Sequence, residues 1–372
     1  AILSMQLRRL AGLERRKLAD EEKDLQARIR YLKGLLRSQK RRLDVVVEET
    51  QAIKDTFATP RRTVILIDDR QGVSAVTEAD LVVPGGPQVV VVTTRGVQRN
   101  DAEGFAYRVK AGTTSRAVEA HRMHLRTKPE DTVMLVSDRG QVWWGIVGRL
   151  PRSASFSELG LGKGEQVVGA GVLSASSALI LGTIQGRVKR VLAEDVTSSA
   201  EASWATIIGL AGKEDRVLFA GVGGDKADVM FLTSSRANRF AATSVKPQAT
   251  PSAKGVAAIK LRKGDRLLAG AVLDKPAAKV GVVVVSKTGY LKRVPIGEFP
   301  VQGRGGQGVL LLNQTQATGP IVAATVGRMN GAIDLIAADG KRQRIARVPV
   351  ENRPNRGKKL VKVGGVTEVW VP

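Results

Sequence analysis

Hydrophobic residues in the first part of the chain recur at steps of three, four and seven positions, with charged residues between them. They are Leu18, Leu25, Ile29, Leu32, Leu36, Leu43, Val46, Ile53 and Phe57. This spacing is helical and close to that of a coiled-coil seam. We therefore predict a helical segment over residues 1–58, with a break near residues 37–39. The economical interpretation is a coiled-coil or helical hairpin that packs on a partner or on itself, with its charged residues facing solvent.

The pattern changes after Thr59-Pro60 to short runs of Val, Ile, Leu and Thr with frequent glycine and no helical period. This texture predicts strands to the end of the chain. Residues 59–88 are predicted to be a linker and a first strand, and residues 89–372 a β domain. Four mostly apolar residues, then Thr, Ser or Ala, two variable residues and glycine form a motif that recurs six times. The copies are Val89–Gly96, Val133–Gly140, Leu179–Gly186, Val229–Arg236, Val282–Gly289 and Ile333–Gly340.

Each copy of this motif predicts a buried strand and a tight turn that leads into an antiparallel partner strand. Repeats of about fifty residues with central hairpins are typical of a propeller-like ring of four-stranded blades. Two repeats depart from the pattern. Arg236 occupies the glycine position, so its turn must tolerate strain or change type. In the second repeat, Lys128–Asp131 runs almost directly into the motif, which predicts one strand fewer.

Composition narrows the possible functions. The chain has 59 Lys and Arg against 35 Asp and Glu, a net charge of +24, with no cysteine and two histidines. Disulfides, thiol nucleophiles and cysteine-ligated metals are therefore excluded, and His121 and His124 lack a third ligand for a metal site. With no long apolar run and no leader, we expect a soluble cytoplasmic chain that has no membrane contact and attracts a polyanion, nucleic acid being the commonest.

Basic residues follow the repeat glycine at a fixed offset of three or four positions in five of the six copies. They are Arg99, Lys189, Arg190, Arg239, Lys292, Arg293 and Arg344, and only the second copy, with Trp143 and Trp144, has none. In a closed ring such residues would lie at equivalent points of one rim and meet successive phosphates of a bent duplex. With 4% aromatic residues, a base-stacking platform for single strands is disfavoured. The alternatives are cations that merely decorate outward strand positions, and a propeller scaffold that binds an acidic partner protein.

The densest glycine loop is Gln302, Gly303, Arg304, Gly305, Gly306, Gln307 and Gly308, shortly after the fifth motif. Glycines around an arginine allow backbone amides and a guanidinium to approach a phosphate closely. No Gly-Lys-Ser/Thr ends this loop, so it is not a nucleotide-binding P-loop. A flexible connection between blades is an equal interpretation.

Several of these stretches together resemble one protein family. The run Ile2–Glu14, the helical segment after it and Arg61-Arg62-Thr63 are similar to the exit from the dimerisation region of bacterial type IIA topoisomerase A subunits. The step Gly289–Arg293, the six repeats and the 302–308 loop resemble the carboxy-terminal β-pinwheel of the same subunits, in gyrase and topoisomerase IV. The resemblance implies a six-bladed pinwheel that binds and bends double-stranded DNA, in a non-catalytic part of a DNA topoisomerase.

Departures from the family pattern bear on the activity. The family's glycine box, Gln-Arg-Arg-Gly-Gly-Lys-Gly, normally follows the first hairpin, but residues 99–115 contain none. The 302–308 loop matches it in part, as a degenerate box, in the fifth repeat. These departures favour a topoisomerase IV or divergent gyrase-like role over gyrase-type negative supercoiling. Tyr31 follows an arginine, as the family's catalytic tyrosine does, but lacks the surrounding motif, so we interpret it as structural.

For the full enzyme, the resemblance implies a homodimer of A subunits, a B subunit with ATPase activity, and the cofactors ATP and Mg²⁺. None of these cofactors is expected to bind in the present chain. The resemblance also implies a nucleoid-associated location in the cytoplasm, and an enzyme that changes DNA topology by passing one duplex through another.

Overall fold

The computed structural model of the chain describes residues 2–57, 85–103, 105, 121–274, 279–339, 341–362 and 365–371. Residues 59–84 of the predicted linker, which include Arg61-Arg62-Thr63, and Gly340 lie outside these residues. The chain divides into two compact units, Ala1–Ala75 and Val76–Pro372. Among the described helices, none is long and apolar enough to cross a membrane.

The first unit contains two helices, α1 (Ile2–Arg37) and α2 (Gln39–Phe57). The predicted break is confirmed at Ser38, whose Oγ accepts a hydrogen bond from the backbone N–H of Arg41 at 3.3 Å. The apolar stripe stays exposed, with Leu18 at 65% and Leu36 at 71% of their full accessibility. The two helices therefore do not bury the stripe against each other, and a coiled coil with a partner stays a prediction. Tyr31 is exposed on α1.

The second unit is mainly β, as predicted. Its described strands, in chain order, are β1 (Gln88–Thr93), β2 (Gly96–Asp101), β3 (His121–Thr127), β4 (Thr132–Ser137), β5 (Gln141–Ile146), β6 (Ser153–Ser155), β7 (Val167–Leu173), β8 (Ala178–Thr183), β9 (Arg187–Leu192), β10 (Ala205–Thr206), β11 (Val217–Gly223), β12 (Asp228–Thr233), β13 (Arg236–Ala241), β14 (Val256–Ala257), β15 (Leu267–Leu273), β16 (Val280–Ser286), β17 (Tyr290–Pro295), β18 (Val309–Leu310), β19 (Ile321–Arg328), β20 (Ile333–Ala337), β21 (Arg342–Ile345), β22 (Lys358–Lys359) and β23 (Val366–Trp370). A short helix, α3 (Ala193–Thr197), and the 3-10 helices Val147–Arg149, Ala242–Ser244 and Ile296–Glu298 follow four of the hairpins.

Each repeat motif forms a central strand and its hairpin partner, as predicted. We number the resulting sheets 1 to 6 along the chain; their strand orders are β3-β1-β2-β6, β7-β4-β5-β10, β11-β8-β9-β14, β15-β12-β13-β18, β19-β16-β17-β22 and β23-β20-β21. Sheets 2 and 3 are joined into one eight-stranded sheet by a parallel pairing of Gly169 with Ala220. The prediction of a shortened second repeat is wrong, because its sheet has four strands. Within the described residues the sixth sheet has three.

The outer strand of a sheet does not come from the same stretch of chain as its hairpin. After hairpin β4–β5 of sheet 2, the chain returns to sheet 1 as β6 and pairs with β2. In the same way β10, β14, β18 and β22 each follow one hairpin and pair with the hairpin before it. Successive sheets are therefore interleaved through their outer strands.

The hydrophobic core lies between successive sheets. Each central strand is buried on both faces and supplies alternate side chains to two clusters. For example, Val229 and Phe231 of β12 pack toward sheet 3 with Ile180, whereas Met230 and Leu232 of the same strand pack toward sheet 5. Burying each large side chain contributes about 1.5–3 kcal/mol. This packing arranges the sheets side by side, as in a propeller.

The hairpin turns follow two patterns. Gly140, Gly186 and Gly289 have φ of 80°, 74° and 91°, which confirms the predicted left-handed glycines. The turn before Arg236 changes type instead. The backbone N–H of Arg236 donates to Thr233 Oγ1 at 2.8 Å, and β13 begins at once. Gly96 begins β2 in the same way, and a Cβ there would lie 2.1 Å from the backbone oxygen of Ala154.

Candidate nucleic-acid interface

The structure brings the predicted cations to equivalent positions of the second hairpin strands, but it buries most of them. Arg99, Lys189, Arg190, Lys292 and Arg293 are all less than 9% exposed, and Lys189 is fully buried. The side chain of Arg239 is 12% exposed. Only Arg304 and Arg344 are exposed to solvent among the eight predicted contacts. Their fixed spacing thus reflects a shared place in the fold.

The cations occupy two successive positions in the second strands of the hairpins. The side chain at the first position holds the loop that leads to an outer strand. Lys189 Nζ donates to the backbone oxygens of Ile207 at 2.7 Å and Thr250 at 2.6 Å. In sheet 5, Lys292 Nζ donates to the backbone oxygens of Asn352, Arg353 and Asn355. Asn238 fills the same position in sheet 4, and its Nδ2 donates to Ala258 O and Gly303 O. A buried donor at this position therefore fastens the chain that arrives from the next hairpin.

The second repeat position connects neighbouring sheets. Arg239 Nη2 lies 2.6 Å from Asp228 Oδ2, and its Nη1 donates to Ile296 O and Phe299 O after the next hairpin. Arg293 Nη1 donates to Met329 O at 2.8 Å. Burial lowers the pKa of the Arg293 guanidinium below its usual range. These guanidinium groups form part of the interior.

A buried ammonium or guanidinium that is saturated by backbone carbonyls is not presented to a phosphate. Lys189, Arg239, Lys292 and Arg293 are held by groups of the protein interior, and the guanidinium of Arg190 pairs with Asp225. Arg99 is buried in sheet 1. Their burial corrects the expectation of outward positions: the second hairpin strands are covered on one face by the next sheet and at the edge by an outer segment. DNA contact stays a prediction for all eight residues, of which Arg304 and Arg344 are the exposed ones.

The buried Lys189 makes stability depend on pH in a defined direction. Desolvation lowers the pKa of its ammonium to about 8 from 10.5, and Asp195 opposes this shift. Between these values the folded chain has released a proton that the unfolded chain still holds, so the free energy of unfolding rises with pH. We expect the stability of the wild type, relative to Lys189→Met, to increase between pH 8 and 10.5. Urea unfolding of both proteins at several pH values measures this, and a constant difference would contradict it.

The 302–308 loop is tied to two sheets and is not a free connection. Gln302 N–H donates to Arg239 O at 2.7 Å, and Gly305 N–H donates to Ala258 O at 2.9 Å. Arg304 Nη1 donates to Ala257 O at 2.9 Å while the side chain stays exposed. Gly308 has φ of 72°, and a Cβ there would lie 2.2 Å from Ala237 O. The degenerate box therefore spans the rim between sheets 3 and 4.

Arg344 lies on β21 of the last sheet. Its side chain is 44% exposed, and its Nη1 is 3.8 Å from Asp334 Oδ2, an oxygen that also pairs with Arg342 Nη2 at 2.6 Å. Two guanidinium groups thus share one buried carboxylate. This leaves part of the positive charge of the pair at the surface of sheet 6.

The exposed cations that sequence reasoning missed lie on the segments that carry the outer strands. In each sheet, the inner strand is the one that pairs with the central strand on the side away from the hairpin partner: β3, β7, β11, β15, β19 and β23. We call the stretch from the end of one hairpin to the next inner strand an outer segment, and we assign it to the sheet that its outer strand completes. The outer segment of sheet 3, residues 242–266, has six exposed cations: Lys246, Lys254, Lys260, Arg262, Lys263 and Arg266. The outer segment of sheet 5, residues 346–362, has five exposed cations and one that is half-buried, Arg353; the exposed ones are Arg347, Arg356, Lys358, Lys359 and Lys362. These two segments are the strongest candidates for phosphate contact.

Comparison with known proteins shows what this chain is similar to. Residues 239–274 and 282–325 match the family described as DNA gyrase C-terminal domain, beta-propeller. The DNA gyrase A subunit of Deinococcus deserti is 28% identical over 98% of the chain, and that of Lawsonia intracellularis is 26% identical over 98%. The chain is thus similar to DNA gyrase A subunits over nearly its whole length. It spans about half of the length of these curated relatives, 46% in both cases.

Solved structures of this family share the fold of the β unit. A crystal structure of the C-terminal domain of DNA topoisomerase IV superposes with a TM-score of 0.65 at 20% identity, over 78% of this chain and 94% of that chain. A DNA gyrase A C-terminal domain has a TM-score of 0.56 at 20% identity, over 76% and 98%. The propeller-like architecture of the topoisomerase A subunits is therefore present here, and the predicted resemblance is confirmed.

Proposed function

We propose that the β unit is a non-catalytic DNA-binding and DNA-bending module of a type II topoisomerase A subunit. The observation that carries this proposal is the placement of twelve exposed or half-buried cations on the outer segments of sheets 3 and 5. Cations at the rim of packed sheets neutralise phosphates along a curved path, and many such contacts offset the elastic cost of bending a duplex. We interpret the six sheets as the blades of the predicted pinwheel.

The relatives favour this function over a scaffold for an acidic partner protein, because their family is named for a DNA enzyme. In the proposal, the full enzyme is a homodimer of A subunits that works at the nucleoid with ATPase B subunits, using ATP and Mg²⁺ for double-strand passage. In the proposal these cofactors bind outside this chain; the 302–308 loop is not a P-loop, because it lacks the Lys-Ser/Thr that ends one.

We expect duplex DNA binding by the full chain to weaken steeply with salt and to show little preference for sequence. Each neutralised phosphate contributes a slope of about 0.9 in log K against log salt, so six to ten contacts lose about 10³- to 10⁵-fold in affinity from roughly 50 to 200 mM salt. Gel-shift titrations of two unrelated duplexes across a salt series measure this. A flat salt response would contradict the electrostatic basis of the proposal.

The gyrase-like and topoisomerase IV-like roles differ in one measurable property. Only wrapping of fixed hand introduces negative supercoils, and the partial glycine box between sheets 3 and 4 favours a topoisomerase IV or divergent gyrase-like role. Incubation of the complete reconstituted enzyme with relaxed circular DNA distinguishes the two. The appearance of negatively supercoiled product would contradict the role that we favour.

A further inference from the structure

Charge is distributed unevenly among the outer segments. The outer segment of sheet 2, residues 193–216, has two basic residues and five acidic ones, of which Asp215 is buried. No Lys or Arg occurs between Arg190 and Lys213. The outer segments of sheets 3 and 5 each have six basic residues and one acidic residue. The rim thus has an acidic sector at sheet 2, directly beside the strongly basic sector of sheet 3.

The fold holds the acidic segment of sheet 2 in place. Glu194 and Asp195 lie in the first turn of α3, where the helix dipole stabilises negative charge. Glu201 Oε2 lies 2.7 Å from Arg149 Nη1 and so neutralises a cation of the outer segment of sheet 1. Trp144, which replaces the repeat arginine in sheet 2, donates from Nε1 to Ser199 O at 3.2 Å and fastens the segment. The acidic sector is therefore a fixed part of the surface.

The outer segments of sheets 1 and 4 have nearly equal numbers of basic and acidic residues. The outer segment of sheet 4, residues 296–320, has one basic and one acidic residue, and its cation is the exposed Arg304. The outer segment of sheet 1, residues 147–166, has three basic and two acidic residues. Since the Debye length is about 10 Å at 0.1 M salt, a phosphate responds mainly to the sector that it faces. A duplex that follows the rim is attracted at sheets 3 and 5, meets a nearly neutral surface at sheet 4 and is repelled at sheet 2.

We propose that bound DNA occupies an arc over the outer segments of sheets 3, 4 and 5 and leaves the rim at sheet 2. This inference rests on the proposed DNA-binding function and limits it to part of the circumference. An arc of three sheets bends a duplex without enclosing the unit. The acidic segment of sheet 2 sets one end of the contacted DNA.

The lack of cysteine allows a direct test, because one introduced cysteine is a unique attachment point in the full chain. An iron chelate that generates hydroxyl radicals is tethered to single variants at exposed, neutral polar residues, one for each sector. The variants are Ser198→Cys for sheet 2, Ser252→Cys for sheet 3, Gln307→Cys for sheet 4 and Asn355→Cys for sheet 5. We expect cleavage of a bound duplex from positions 252, 307 and 355, and at least tenfold less from position 198. Cleavage from 198 equal to that from 252 would overturn the arc.

A second variant tests the role of the acidic sector without relying on the chelate. Glu194→Lys combined with Ala200→Lys places two cations on exposed positions of sheet 2. We expect the hydroxyl-radical footprint on DNA to lengthen and the salt slope to rise by about 2. An unchanged footprint and slope would overturn the inference while wild-type binding still supports the proposed function. Loss of salt-dependent binding in the wild type would instead overturn the function itself.

Discussion

Replacing Arg239 with methionine is expected to lower the free energy of unfolding by about 3–5 kcal/mol, because it breaks a buried ion pair and leaves one charge uncompensated. The partner is Asp228, whose side chain is 3% exposed. The change also removes the donor to Ile296 O and Phe299 O, which joins sheet 4 to the next hairpin. Urea unfolding followed by circular dichroism gives the free energy.

Two further variants separate this effect from general damage. Asp228→Asn added to Arg239→Met should restore part of the lost stability, because the unpaired carboxylate is then gone. Arg266→Met changes an exposed arginine directly before β15 of sheet 4 that forms one long hydrogen bond, 3.3 Å, to Val322 O. This variant should stay within about 0.5 kcal/mol of the wild type. A loss below about 1 kcal/mol in Arg239→Met would show that the pair contributes little.

Neutralising four cations on the outer segment of sheet 5 is expected to weaken DNA binding strongly and to reduce its salt dependence. The variant carries Arg356→Gln, Lys358→Gln, Lys359→Gln and Lys362→Gln, all at exposed positions. If each cation neutralises one phosphate, the slope of log K against log salt falls by about 3.6. Over a fourfold rise in salt, the wild type then loses about 150-fold more affinity than the variant. Gel-shift titration of one duplex measures both quantities.

The helical unit offers a control with the same change in net charge. Arg15, Arg16, Lys23 and Lys33 lie on α1, away from the β unit in sequence, and their replacement by glutamine also removes four positive charges. We expect this control to bind DNA nearly as the wild type does, because the helix face is interpreted as solvated. An equal loss of affinity in both variants would mean that net charge alone, and not its placement on sheet 5, drives binding.

The central hairpins could be predicted from the sequence because their signal is local. Val282–Val285 and the turn at Gly289 are contiguous, and the same motif recurs in five other places. The outer strands could not be predicted, since β10, β14, β18 and β22 are two residues long and pair with the hairpin of the preceding repeat. The exposed stripe on α1 and α2 shows a related limit, because a heptad pattern does not say what covers it.

The DNA-contacting residues were harder to predict. The regular spacing of the cations shows that they occupy equivalent positions in the repeats, but it does not show whether they are exposed. Lys189 and Arg239 follow the repeat turn at the offset expected for a rim, yet their heads bind carbonyls and a carboxylate inside the sheets. Long aliphatic stems allow such burial, and clusters of backbone oxygens where the outer segments arrive make it favourable. The useful signal was the density of Lys and Arg between repeats, at residues 246–266 and 347–362. That density indicates a DNA-contacting surface only once these stretches are known to lie at the outer edge of the sheets.

The interleaved outer strands also set the order in which the sheets are completed during synthesis. On the ribosome, β2 is complete at Asp101, but its partner β6 begins at Ser153. At ordinary rates of synthesis this gap of about 50 residues lasts roughly 3–10 s. During that interval the sheet has an unpaired edge that is open to wrong partners. Each of the first five sheets receives its outer strand only after the hairpin of the next sheet has been synthesised. The sheets of the β unit are therefore completed one after another, from the first to the fifth.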